Sequence, residues 1–121
     1  MQDFHNLVVW QRAVEFVGLV FPATERFPRF SDGNLAQQTR KAAVSIAFNI
    51  SEGCGRKGGA DLIKFLQYSM GSACEVECGI ELSRNLGYLE AKVAAALLER
   101  VVEIKKMLAG LMKSLGYRSN G

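Results

Sequence analysis

Histidine is almost missing from this chain. Of 121 residues only His5 is a histidine, alongside one tryptophan, two prolines and three cysteines. A di-metal centre in a helical bundle needs Glu-x-x-His pairs on facing helices, and one histidine near a chain end cannot supply them. The same shortage removes any Cys–His–Asn or Ser–His–Asp constellation. A Ser–Lys arrangement survives counting, but no motif suggests one. The expectation is a protein that is not an enzyme and holds no metal or organic cofactor. Prolines at positions 22 and 28 alone leave room for long uninterrupted helices elsewhere. No apolar run approaches the ~20 residues that cross a bilayer. The stretch MQDFHNLVVWQRAVEF has an early Asp3 and no basic leader, so it does not read as a signal peptide. A cytoplasmic protein with no membrane role is expected.

Cysteines are few and odd in number: Cys54, Cys74 and Cys78. With no secretory signal they read as reduced thiols. Cys74 and Cys78 stand at i,i+4 and can begin a zinc site, yet nothing has the spacing to supply the other two ligands. Small buried thiols behaving as apolar residues are the preferred reading.

What the chain has is hydrophobic residues, 49% of the total, enough for one core in one domain spanning 1–121. They repeat with helical period. A first segment, about His5 to Glu25, carries Leu7, Trp10, Val14, Val17 and Phe21 on one face. A second stripe of Val9, Ala13, Phe16 and Val20 lies beside it, and Pro22 is expected to kink the last turn. A second segment starts near Asp32-Gly33-Asn34, either Asp32 or Asn34 able to cap. It presents Leu35, Thr39, Ala42, Ile46 and Ile50, flanked by Ala36, Ala43, Ala47 and Gly53, small residues that let a neighbour approach. A third, about Ala60 to Leu86, has the heptad seam Leu62, Leu66, Ser69, Ala73, Val76, Ile80 and Ser83. A fourth, about Glu90 to Leu115, continues the rhythm with Ala94, Leu97, Val101, Ile104, Leu108, Leu111 and Leu115. Gly87 and Gly116 stop the last two. Short loops make consecutive helices antiparallel neighbours, so the expected fold is all-α, an antiparallel up-down four-helix bundle. Helices one and four carry surplus apolar residues, Val8, Val9, Phe16 and Val20 on one and Val93, Val102 and Met112 on the other. Exposed surplus of this kind favours oligomerisation.

Net charge is only +3, but it is unevenly spread. Residues 90–121 hold six basic and three acidic side chains, whereas 59–89 hold two and four. Gly53-Cys54-Gly55-Arg56-Lys57-Gly58 matches GxGxxG literally, but a dinucleotide loop follows a strand, and here a helix comes first. Gly53 to Gly59 reads as a glycine-rich interhelical turn whose four glycines permit left-handed backbone. Arg56 and Lys57 then flank a helix N-terminus, where a phosphate of RNA or DNA can bind. Lys105, Lys106, Lys113 and Arg118 on the fourth helix return to the same end of an antiparallel bundle. These six are the candidate nucleic-acid contacts.

A turn centred near Gly58 pairs helices two and three so that partner numbers total about 116. That register sets Arg40 opposite Glu75 or Val76, Ser45 opposite Gly71 and Ser72, Asn49 opposite Gln67, and Glu52 opposite Lys64. Arg40, Asn49, Glu52, Ser72 and Glu75 are therefore expected to form a structural polar network that fixes register. The competing reading, a site built on such residues, lacks an activated nucleophile.

Asn49-Ile50-Ser51-Glu52-Gly53-Cys54-Gly55-Arg56 resembles an N-I-[AS]-E-G-x-x-R signature. Phe65-Leu66 with Gly71-Ser72, Glu75 and Glu77 resembles F-L-x(4)-G-S-x-x-E-x-E. Leu7-x-x-Trp10-x-x-Ala13, Phe27-Pro28, Leu35-x-x-Gln38 and Leu86-Gly87-Tyr88-Leu89 fit as well. The chain is similar to the bacterial four-helix-bundle proteins first found as open reading frames in intervening sequences of 23S ribosomal RNA genes. It departs after Phe27-Pro28, reading Arg29-Phe30-Ser31-Asp32 where that family often has acidic residues. The resemblance implies a homopentameric ring of bundles and no known reaction. A similar bundle is the accessory protein of diversity-generating retroelements, a basic pentamer that works with a reverse transcriptase and nucleic acid. Two functions follow: a nucleic-acid-associated accessory protein, or a protein–protein adaptor or structural oligomer with no nucleic-acid role.

Overall fold

The computed structural model describes residues 3–28 and 34–118. A 3-10 turn, Phe4–Asn6, leads into α1 (Val8–Ala23), followed by α2 (Leu35–Cys54), α3 (Gly59–Asn85) and α4 (Ala91–Ser114). No strand occurs among the described residues. Pro22 sits in the last turn of α1, and the helix stops one residue later. Asn34 caps α2, its side-chain oxygen accepting from the Gln37 N–H at 3.1 Å. Asp32 and the Arg29-Phe30-Ser31-Asp32 departure lie outside the described residues. Gly87 and Gly116 adopt φ of +78° and +97°, and the next N–H in each case reaches back to close the helix, Tyr88 to Ser83 and Tyr117 to Met112.

Each helix packs on two neighbours, α1 on α2 and α4, and α3 on α2 and α4; among the described residues the diagonal pairs do not meet. The α2–α3 pair is much the most intimate. Along it Thr39 meets Gly79, Ser45 meets Ser72, Ile46 meets Ser69 and Gly53 meets Leu62. Partner numbers fall as α2 numbers rise, so the helices are antiparallel, close to the expected register. The Ser72 hydroxyl donates to Ser45 Oγ and the buried Ser69 hydroxyl to the Ile46 carbonyl, both at 2.9 Å. Across the opposite pair, Arg12 reaches Glu103 at 3.2 Å and Arg100 reaches Glu15 at 3.8 Å, setting α1 antiparallel to α4. These exposed ion pairs add little stability.

The third-segment seam is buried throughout, from Leu62 to Ser83. In α1 the two stripes exchange roles. Val9, Ala13, Phe16 and Val20 form the core, whereas Val14 and Phe21 are exposed and Leu7, Trp10 and Val17 half-buried. The expected surplus on Val9, Phe16 and Val20 is therefore core. In α4, Met112 is buried and Leu111 half-buried. A straight helix drifts ~20° per heptad, which carries the seam one residue past the 3.5-residue rhythm by the end of α4.

The glycine turn works differently from expectation. No residue from Gly55 to Gly58 has positive φ. Gly53 serves close packing instead, because a Cβ there would stand 2.9 Å from both Leu62 Cδ1 and Phe65 Cβ. Gly79 does the same farther along, where a Cβ would stand 2.5 Å from Thr39 Oγ1. Replacing Gly79 by Ala should cost ~1–3 kcal/mol through overpacking. Gly71 lies on the same helix, and a Cβ added there would meet nothing within 4 Å. Gly71→Ala should instead add ~0.5–1 kcal/mol. Urea unfolding of the two variants should therefore shift in opposite directions; shifts of the same sign would refute the close-approach reading.

Candidate nucleic-acid interface and polar network

The expected polar network divides into three separate groups. Ser72, Ser45 and Asn49 form one: Asn49 Nδ2 donates to the Ser45 carbonyl at 2.9 Å and to Ser45 Oγ at 3.0 Å. Glu52 joins Arg56 one turn on at 2.8 Å, not Lys64. Arg40 turns away from α3 altogether. Its Nε donates to Thr24 Oγ1 at 2.7 Å, its Nη2 to the Phe21 carbonyl at 3.1 Å, and its guanidinium lies 5.1 Å from the Phe21 ring centre. Glu75 is exposed. The pairing of Arg40 with Glu75 is thus corrected. Register counts height along the helix, whereas face depends on angle, and adjacent residues differ by about 100°. Thr39 faces Gly79, so Arg40 points toward α1. The carboxylate that reaches across to α4 is Glu77, bound to Lys105 at 2.7 Å.

The six candidate cations divide as well. Leu115 and the 53–59 turn line one hollow, so the end of α4 does return to that end of the bundle. Lys113 and Arg118 border a neighbouring cleft with Gln67, Met70 and Tyr117. Arg56, Lys57, Lys113 and Arg118 therefore gather at one end. Arg56 is tied to Glu52 and stacks 5.0 Å over the Phe65 ring. Lys105 stands apart, about 12 Å from Lys113 along the axis at 1.5 Å per residue. It is committed to Glu77, whose hydrogen bond is the main cause holding the ammonium above its ordinary value; burial opposes this and Cys74 adds to it. Stability from a raised lysine is present below the unfolded value and lost as pH rises through the folded one, so this pair is intact at neutral pH. Lys106 borders a different groove, with Glu99 and Glu103. Two carboxylates temper the basic end: Asp61 in the first turn of α3, and Asp3, held below its ordinary value first by the His5 side-chain hydrogen bond.

The expected burial of Cys74 and Cys78 is also corrected. Cys54 is buried, and burial raises its thiol, with the Asp3 charge acting in the same direction. Cys74 and Cys78 are exposed. Each lies off the buried Ala73–Val76–Ile80 line of α3.

A family model described as "23S rRNA-intervening sequence protein" matches residues 5–110. The chain belongs to this family. A solved relative in fold is a protein of unknown function from the S23 ribosomal protein family of Bacteroides thetaiotaomicron, with a TM-score of 0.78 at 23% identity. The alignment covers 87% of this chain and 98% of that one, and at such identity it shows the shared fold. No curated protein matches the chain.

The feature that sequence reasoning missed is Phe48. It is 68% exposed, the most open large apolar side chain described, and shares the α1–α2 groove with Trp10, Val14, Val17 and Val44. Its signal was available: Phe48 falls outside the Leu35–Thr39–Ala42–Ile46–Ile50 stripe.

If Arg40 is the tie between α1 and α2, Arg40→Ala should lower stability by about 1 kcal/mol or more. Glu75→Gln should change it by less than about 0.5 kcal/mol. Thermal melts of both variants check this, and a larger loss for Glu75→Gln would restore the pairing of Arg40 with Glu75.

Proposed function

We propose that this protein works by binding and not by catalysis, as an oligomer of bundles assembled through the α1–α2 face. The observation that carries this reading is the apolar surface formed by Val14, Phe21 and Phe48, exposed at 45%, 40% and 68%. A contiguous patch of large apolar side chains on a small domain marks a contact surface. A homopentamer is the assembly that the resemblance to the intervening-sequence proteins implies. Phe48→Glu places a charge at the centre of the face and should reduce the particle to 13.3 kDa in light scattering while helicity is kept. A wild-type protein that is monomeric at micromolar concentration would leave the adaptor reading, in which the same face takes a different protein.

The basic end supports a further role in binding RNA or DNA. Lys57, Lys113 and Arg118 carry it, because Arg56 and Lys105 are paired with carboxylates and Lys106 lies near two. A ring would repeat this end around its axis and raise the local charge density. Binding would be directed at the phosphate backbone, and log affinity should fall by ~0.7–0.9 per log salt for each phosphate neutralised. Lys57→Glu, Lys113→Glu and Arg118→Glu together should abolish binding in a fluorescence titration, whereas Lys106→Glu should weaken it little. Retention of no nucleic acid by the wild type at ~50 mM salt, where such contacts are strong, would exclude this role and leave the assembly reading intact.

A further inference from the structure

Cys74 and Cys78 lie near the middle of α3, a 27-residue helix, one turn apart and open to solvent. We propose that they form a dithiol clamp for one soft metal ion of the copper(I) class. Side chains at i and i+4 share a helical face, with Cβ atoms ~5–6 Å apart. Two metal–sulfur bonds of ~2.3 Å each span ~4.6 Å, within reach of thiols on those two carbons. The helix holds the pair at this separation before any ion arrives.

The number and softness of the donors select the ion. Among the described residues no group of three or more His, Cys, Asp or Glu side chains is placed to hold a metal. Zinc, which takes four ligands in a structural site, is therefore poorly served. Thiolates favour copper(I), for which two sulfur donors suffice. Glu77, between the two cysteines in sequence, is engaged by Lys105 at 2.7 Å. Glu75 and Glu81 are exposed nearby, hard oxygen donors that attract a cation without holding a soft one. The approach is open, because Gly71, one turn before Cys74, has no side chain and nothing crowds its position.

Charge balances at the site. Binding breaks two S–H bonds and forms two S–Cu bonds, with two protons passing to the buffer and no change in oxidation state. The bis-thiolate complex carries one negative charge. Lys105, bonded to Glu77 at 2.7 Å, keeps that carboxylate from adding to the charge. This clamp lies apart from the α1–α2 face and is independent of the assembly proposed there.

The test is anaerobic titration of the full-length, reduced protein with copper(I) against a chromogenic copper(I) chelator. One ion per chain is expected. Cys74→Ser and Cys78→Ser should each weaken binding ~100-fold or more, since each leaves a single donor. Cys54→Ser should leave affinity unchanged, and circular dichroism should report an intact helical fold in all three. Undiminished affinity in either exposed-cysteine variant, dependence on Cys54, or one ion per two chains would overturn the proposal.

Discussion

The close approach of α2 and α3 is the constraint on which the rest of the bundle depends. It is possible because Gly53 and Gly79 offer no Cβ where the partner helix arrives, and because Ala36, Ala43 and Ala73 are small and buried. Proximity then allows serine hydroxyls to cross, from Ser69 to the Ile46 carbonyl and from Ser72 to Ser45. Such bonds are worth about 1 kcal/mol each in net stability, and they tie the two helices side chain to backbone and side chain to side chain. Thr39 Oγ1 shows the cost of the arrangement: it is buried against Gly79 without a hydrogen-bond partner among the described residues. α1 and α4 pack outside this pair through larger side chains, Phe16 and Val20 from one, Ile104 and Leu108 from the other.

Much of this was legible in the residues. Four helices, their approximate ends and the α2–α3 register follow from apolar period, glycine stops and one turn centre. What failed was angular. Arg40 and Glu75 share a height but not a face, and the two α1 stripes differ by a fraction of a turn. Both stripes are apolar, so period alone could not choose between Leu7–Trp10–Val14 and Val9–Ala13–Phe16. The cysteines show the opposite case. The α3 seam is legible from Leu62 to Ser83, and helical geometry places Cys74 and Cys78 off it, so position on the helix outweighs the general tendency of thiols to be buried. The basic end was legible only in part, since the helix order brings Lys57 to Lys113, but the capture of Arg56 and Lys105 by Glu52 and Glu77 needed side-chain geometry.

Surface features separate by location. Val14 and Phe48 line the α1–α2 groove, Arg56, Lys57, Lys113 and Arg118 gather at the end shared by the 53–59 turn and the end of α4, and Cys74 and Cys78 are exposed on α3. Family membership places the chain among intervening-sequence proteins, and a reading of assembly at one face with charge presented at one end fits the separation.

Trp10, the only tryptophan, lines the α1–α2 groove with Val14 and Phe48 and reports directly on whether that face is the assembly surface. Acrylamide quenching of its fluorescence should be followed across a dilution series together with particle mass. The account predicts a shielded Trp10 in the assembled protein that becomes accessible as the mass falls to that of one chain. Quenching that stays constant while the assembly dissociates would contradict it.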